Sequence, residues 1–169
     1  MYTISLITDA DIAAVTTVIN SAYEGKPGSK SWTSEGHLVE GQRTSESLLS
    51  DLIQKPGVRM YKCCDEQSTV LGCVLIEEKP ETLYLGMLSV SPDAQAGGIG
   101  KLLLQFGENL AKENNYSTLT ITVIDVRAEL IDWYRRKGFA PTGNWEPFSN
   151  KSSSAKGDFG FMELQKQLQ

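Results

Sequence analysis

The residues from Leu88 to Lys101, LSVSPDAQAGGIGK, place three glycines at a strand-to-helix transition. An apolar run, Leu83–Val90, stops at Ser91-Pro92, where proline removes a backbone donor and biases its neighbour away from helix. Gly97, Gly98 and Gly100 then lead into Leu102–Leu104, where a helical pattern begins. Glycine lets the main chain come close to a ligand, and a helix N-terminus offers unpaired N–H groups at the positive end of its dipole. A diphosphate suits such a place. The spacing excludes two common phosphate loops. A dinucleotide fingerprint starting at Gly98 needs glycine at position 103, which is Leu103. A Walker A loop needs Ser or Thr after Gly100-Lys101, and Leu102 stands there. A glycine turn serving only tight strand-to-helix packing fits this segment as well as a ligand loop does.

Other reactive side chains give less. The three cysteines are Cys63, Cys64 and Cys73. Two adjacent cysteines on a strand point to opposite faces, which argues against a shared metal site or a redox pair. All three read as small core or surface residues. The single histidine, His37, has no nucleophile or ligand set near it in sequence and reads as a surface residue. It lies in an irregular stretch, Tyr23–Arg43, with Trp32, Glu35, Glu40 and Arg43. Long irregular stretches in compact domains are commonly binding loops. Trp32 could face a ligand or pin the loop to the core. No metal site emerges.

The chain has 169 residues, 40% of them hydrophobic and 22% charged, values that suit one domain, 1–169, with a sizeable core. The net charge of -5, with no Lys/Arg cluster, gives nucleic-acid binding no support. No apolar run is long enough to span a bilayer. An odd cysteine count with no secretory pattern at Met1–Ala10 points to reduced thiols and a cytoplasmic chain.

The elements that must hold the glycine loop follow from periodicity. Thr3–Ile7 reads as a strand. Thr8 caps a helix whose Ile12, Val15, Ile19 and Ala22 share one face. Thr44 caps a second helix, ended by Pro56-Gly57. Arg59–Asp65 and Val70–Glu77 form a hairpin, and Thr82–Val90 leads into the glycine loop. Lys101–Asn114 is a helix. Thr118–Ile124, near-continuous in apolar and β-branched residues, suits a central strand parallel to Thr82–Val90. Arg127–Lys137 is a helix stopped by Gly138. A short strand at Phe139–Thr142, a loop at Glu146–Asp158 and a closing strand at Phe159–Leu164 complete the chain.

Gln95-x-x-Gly98-x-Gly100 after a strand, followed by Tyr134-x-x-x-Gly138-Phe139 closing a later helix, resembles the GNAT superfamily of N-acetyltransferases. The order of elements matches along nearly the whole chain. Two motifs in the right order are far more specific than either alone. The resemblance implies an α/β fold, a central mixed twisted sheet of about six to seven strands flanked by about four helices. It implies acetyl-CoA as cosubstrate, with pantetheine pairing against a strand edge at Met87–Val90, freed where two central strands part after a bulge. The N–H of Leu88 would polarise the thioester carbonyl, with Ser89 and Val90 beside it. Main-chain N–H groups of Gln95, Ala96, Gly97, Gly98, Ile99, Gly100 and Lys101 would hold the diphosphate. Tyr134 matches the family's general acid.

The family often has glycine where Ala96 stands and asparagine where Arg127 stands. Arg127 could pair with a CoA phosphate or be a plain surface arginine. The acceptor implied is a primary amine, of a small molecule or of a protein. Trp32 and Glu35 are candidate acceptor contacts. Glu35, Glu40 and Glu81 are the carboxylates weighed as base, each reading first as a solvated surface carboxylate, and none is singled out. A non-catalytic acyl-CoA sensor is the competing reading. Homodimers are common in the family.

Overall fold

The computed structural model describes residues 1–24, 39–148, 153–155 and 158–169, with 39–41 and 153–155 described by main chain alone. Among the described residues, nine strands and four α-helices follow in the order β1 (Thr3–Leu6), α1 (Ile12–Glu24), β2 (Val39–Gly41), α2 (Glu46–Ile53), β3 (Val58–Cys64), β4 (Val70–Glu78), β5 (Leu83–Val90), α3 (Ile99–Glu113), β6 (Thr118–Ile124), α4 (Ala128–Arg136), β7 (Ala140–Pro147), β8 (Ser153–Ala155) and β9 (Gly160–Gln167). Seven strands make one mixed sheet in the order β1-β3-β4-β5-β6-β9-β7. Only β5 and β6 run parallel; every other neighbouring pair is antiparallel.

Alternation along the central strands explains the layers. On β4, Val74 and Ile76 face one core, and Cys73 and Leu75 face another. The first core is closed by Ile99, Leu103, Leu104 and Ala111 of α3 and by Tyr134 of α4. The second is closed by Ile12, Val15 and Ile19 of α1 and Leu49 of α2. A strand covered on both faces must be apolar at successive positions, as β4 is. Leu103 is fully buried, and truncating such a leucine to alanine costs about 2–5 kcal/mol.

Local chemistry sets the boundaries. Main-chain N–H and hydroxyl of Thr8 both donate to Asp11 Oδ2, at 2.8 and 3.2 Å, so the turn Asp9–Asp11 enters α1 already capped. The β3–β4 turn is held by Asp65 Oδ1, which accepts from the N–H groups of Gln67 and Thr69, both at 2.9 Å.

Several expectations change. Ser45, not Thr44, caps α2: its hydroxyl accepts from the Leu48 N–H at 3.2 Å. Thr44 is buried, and its main-chain N–H and C=O both bond the Asn20 side chain at 3.0 Å, tying this segment to α1. Helix α3 begins at Ile99 rather than Lys101, so Gly98 itself is the cap. The strand expected at Phe139–Thr142 runs as Ala140–Pro147. Both stretches expected to be irregular hold a short strand, β2 and β8, and these pair with each other. Neither segment alternates in sequence, because tertiary context alone brings them together. Among the described residues, no helix is long and apolar enough to cross a membrane.

Candidate active site

Strands β5 and β6 pair for only three residues, from Leu83 opposite Leu119 to Leu85 opposite Ile121. Beyond that point β5 follows β4 and β6 follows β9, so the two parallel strands part. A bulge marks the parting. Gly86 lies opposite Leu75 and Ser89 opposite Cys73, so Met87 and Leu88 together face the single residue Val74. Met87 takes a positive φ of 49°, which costs a side-chain-bearing residue about 1–2 kcal/mol. The bulge is held from inside: Ser89 Oγ donates to the Met87 carbonyl at 2.9 Å, and the Cys73 thiol lies 3.8 Å from the same oxygen. Ser89 is fully buried. Between the parted strands lies a cavity of about 50 Å³, lined by Leu85, Met87, Leu88, Ile121, Val123 and Tyr134, with Arg43 and Tyr23 at its side.

At the far end of β5 the chain makes a tight turn, Pro92–Gly97, and reaches Gly98 at φ 75°. A Cβ added to Gly98 would meet no atom within 4 Å, so this glycine faces open space ahead of the α3 N-terminus. A Cβ on Gly97 would come within 2.8 Å of the Tyr2 hydroxyl, the tip of an exposed side chain that can swing aside. Gln95 Nε2 donates to the Val90 carbonyl at 3.3 Å and ties the turn to β5. The open space is a cavity of about 310 Å³ lined by Gln95, Gly98, Gly100, Lys101, Trp133 and Arg136, with Glu129 at one side. A helix start, an open glycine and two cations together suit a diphosphate.

Tyr134 lines the wedge, and its neighbour Trp133 lines the cavity at Gly98. Tyr134 is buried, edge-on to Trp133 at 4.9 Å and to Phe139 at 5.5 Å. Burial pushes its phenol well above the ordinary tyrosine range. Tyr23 and Tyr84 push the same way, and the Arg127 charge opposes them. Tyr134 therefore keeps its proton at any ordinary pH. Arg127 is 4% exposed and starts α4, so it is not the surface arginine considered above, nor does it line the cavity at Gly98.

A further cavity, of about 480 Å³, shares Arg43, Thr122 and Phe161 with the wedge between the strands. Its floor is a hydroxyl ladder across β5 and β6. Thr82 and Thr120 hydroxyls lie 2.6 Å apart, and Tyr84 and Thr122 hydroxyls 2.8 Å. Glu163 of β9 accepts from Thr142 Oγ1 at 2.8 Å and Asn144 Nδ2 at 3.0 Å. Glu77 pairs with Lys79 at 3.6 Å. The Arg43 guanidinium lies 4.7 Å from the Tyr23 ring centre and 5.8 Å from that of Phe161.

Of the expected site residues, Leu88 and Tyr134 line the wedge, and Gln95, Gly98, Gly100 and Lys101 line the separate cavity at the α3 start. Trp32, Glu35 and His37 lie outside the described residues, and Glu40 is described by main chain alone. Glu81 sits at the opposite end of β5, beside Pro80, Asn114 and Tyr116, away from the wedge. Sequence reasoning missed Glu163, Tyr84, Thr122 and the position of Arg43. Thr82 with Tyr84, and Thr120 with Thr122, recur at a spacing of two in apolar strands, and that recurrence was the available signal.

Residues 24–139 match the model of the acetyltransferase (GNAT) family. An IAA acetyltransferase of Azospirillum brasilense is 32% identical over 98 residues, 57% of this chain and 63% of that protein. The chain spans 63%, 40% and 62% of three curated relatives' lengths. Among solved structures, the ribosomal-protein-S18-alanine N-acetyltransferase of Escherichia coli superposes with a TM-score of 0.73 at 18% identity, covering 99% of this chain and 94% of that one. The yncA protein of Salmonella typhimurium, solved with its cofactor acetyl-CoA, gives 0.69 at 19% identity, covering 100% and 95%. These two likenesses show the fold alone. The family match takes in the parted strands, the glycine turn and the Tyr134 helix together, and the chain belongs to the GNAT family of acetyltransferases.

Proposed function

We propose that this chain is an acetyl-CoA-dependent N-acetyltransferase that acts on the primary amine of a small molecule by direct attack. One observation carries the reading: β5 leaves β6 after Leu85, with Tyr134 buried in the gap and an open glycine at the end of the same strand. Acetyl-CoA, when bound, supplies an activated thioester carbonyl. The residues present fit it. Main chain from Met87 to Val90 offers an edge on which an extended pantetheine adds like a strand. The Leu88 N–H polarises the thioester carbonyl and stabilises the charge that grows on its oxygen. Main-chain N–H groups from Gln95 to Lys101, with the Lys101 and Arg136 side chains, hold the diphosphate.

Tyr134 holds a proton next to the departing sulfur. A thiol is an easy leaving group, so this donation adds only a modest factor, at most about 10²–10⁴-fold. An amine must lose a proton before it attacks, because its pKa lies near ~10. We assign the base to Glu163, one of three carboxylates lining the adjoining cavity with Glu77 and Glu146, because Thr142 and Asn144 hold its carboxylate in one orientation.

Release of coenzyme A thiol from acetyl-CoA, measured across a panel of small amines, tests the reading. Turnover with any member supports it. Tight binding of coenzyme A without turnover on any amine would replace it with a sensing role.

A further inference from the structure

We propose that Thr122 carries the proton of the attacking amine from the wedge to Glu163, with Tyr84 as the residue that positions its hydroxyl. The inference rests on the acetyltransferase reading and on the base assigned above, and it supplies the proton's route.

Thr122 is the first residue of β6 past the last parallel pair, Leu85 opposite Ile121, so it stands where the two strands part. Ile121 and Val123 on either side are buried, whereas Thr122 is exposed. It lines both the wedge and the larger cavity. Arg43 and Phe161 do so too, but a guanidinium keeps its protons and a phenyl ring has none to exchange. Of the three, Thr122 has the group that can both take a proton and give one. Thr122 lies directly opposite Glu163 in the β6–β9 register. Opposed residues of an antiparallel pair bring their Cβ atoms to about 4.5–5.5 Å, close enough for a hydroxyl to donate to a carboxylate. The Thr142 and Asn144 bonds both end on Glu163 Oε1, and neither uses Oε2. The other two carboxylates of the cavity are further from Thr122 in the sheet. Glu77 is on β4 and pairs with Lys79, and Glu146 is on β7, beyond β9.

Tyr84 supplies another contact. Its hydroxyl is 2.8 Å from Thr122 Oγ1. Gly86 gives the ring room, since a Cβ there would come within 2.9 Å of Tyr84 Cε1. Burial pushes the Tyr84 phenol up; Thr122 and Arg43 oppose this, and Glu77 and Glu163 add to it. The Lys79 ammonium lies 5.5 Å from the ring centre. The phenol stays protonated and donates. A threonine hydroxyl accepts two hydrogen bonds and donates one. Tyr84 fills one acceptor position, the incoming ammonium fills the other, and the Thr122 O–H is left for Glu163. An ammonium N–H bond breaks as an O–H bond forms at Thr122, and the original Thr122 proton passes to Glu163. Ammonium and carboxylate become neutral amine and carboxylic acid, and the nitrogen lone pair attacks the thioester.

The pH dependence decides the question. The wild-type enzyme and Thr122→Val, which keeps the shape and loses the hydroxyl, are assayed with acetyl-CoA and a panel of primary alkylamines that includes ethanolamine, putrescine and phenethylamine. Such amines have a pKa near ~10, so they are ammonium ions at neutral pH. Wild-type kcat/KM should stay level from about pH 7 to about pH 9, because the enzyme deprotonates the bound ammonium itself. Thr122→Val should lose about 10²-fold near neutral pH. That loss should shrink as pH rises, because the acceptor then arrives neutral. The KM for acetyl-CoA should not move. Thr122→Ser, which keeps the hydroxyl, should recover most of the rate, and Tyr84→Phe should show a smaller loss with the same pH trend. A deficit equal at every pH, a Thr122→Ser as slow as Thr122→Val, or full activity of Thr122→Val near neutral pH overturns the relay and leaves the acetyltransferase reading intact. A wild-type kcat/KM that climbs about tenfold per pH unit does the same, because the enzyme then takes only neutral amine. No wild-type turnover with any amine overturns both. The wild-type profile and Tyr84→Phe keep the test decisive should Thr122→Val fold poorly.

Discussion

Ser89 Oγ lies 2.9 Å from the carbonyl oxygen of Met87, two residues back along the same strand. The hydroxyl is fully buried, so the carbonyl at the bulge is satisfied from its own strand, with the weaker Cys73 thiol of β4 beside it. This contact fixes the backbone where β5 turns away from β6. Ser89→Ala leaves the Met87 oxygen with only the weak Cys73 thiol. Loss of a partner for a buried polar group costs about 1–3 kcal/mol. Denaturant unfolding should show that loss. Acetyl transfer should fall further than stability does, because the Leu88 N–H shifts with the bulge. A variant of unchanged stability and turnover would mean that the bulge holds itself.

Gly98→Ala tests the diphosphate seat. The added methyl meets no protein atom, so packing is not disturbed. The positive φ of 75° costs alanine about 1–2 kcal/mol. That strain and the methyl in the open cradle both act against ligand. Calorimetry should show coenzyme A binding weakened about tenfold or more, the factor that ~1.4 kcal/mol sets. Undiminished binding would place the diphosphate elsewhere.

Tyr134→Phe removes one oxygen and keeps the edge-on contacts to Trp133 and Phe139. Turnover should drop, by at most about 10²–10⁴-fold, with the KM for acetyl-CoA nearly unchanged. Burial raises this phenol above its ordinary value of 10.0, so the protonated form persists as pH rises. Wild-type activity should therefore show no alkaline decline through tyrosine ionisation below about pH 10.

The three thiols are all buried, and burial pushes each above the ordinary value of 9.0, Cys73 to about 12. The folded state thus keeps Cys73 protonated where the unfolded chain ionises. Its contribution to stability is whole below pH 9 and is lost as pH rises toward about 12. Titration with a disulfide reagent at pH 8 should find no fast-reacting thiol in the native protein and three after unfolding. A fast native thiol would show that Cys64, on the strand next to the β1 edge, opens to solvent.

Much of this was legible before the fold. The glycine turn shows in sequence because a left-handed cap in open space selects glycine, and Gly98 is that cap. Gly138 and Phe139 mark the end of α4 for a related reason: Gly138 also takes a positive φ, 99°. Paired strands 3 and 4 announce themselves by apolar runs around a turn. Met87 gave no such sign, since methionine has no preference for the conformation it adopts there. Its φ is imposed by the two-against-one register with Val74. Arg43 was equally silent. A cation stacked between rings from residues 23 and 161 is written in three dimensions only. The β2–β8 pair is the same case on a larger scale.

The position of β9 has a consequence for how the protein is made. Strand β7 leaves the ribosome before β9, yet β9 is its one neighbour in the sheet and also covers the outer side of β6. Until β9 arrives, two rows of amide groups face solvent and can pair with another nascent chain. A chain ending before Gly160 should therefore be aggregation-prone and chaperone-bound, whereas one that carries β9 through Gln167 should fold.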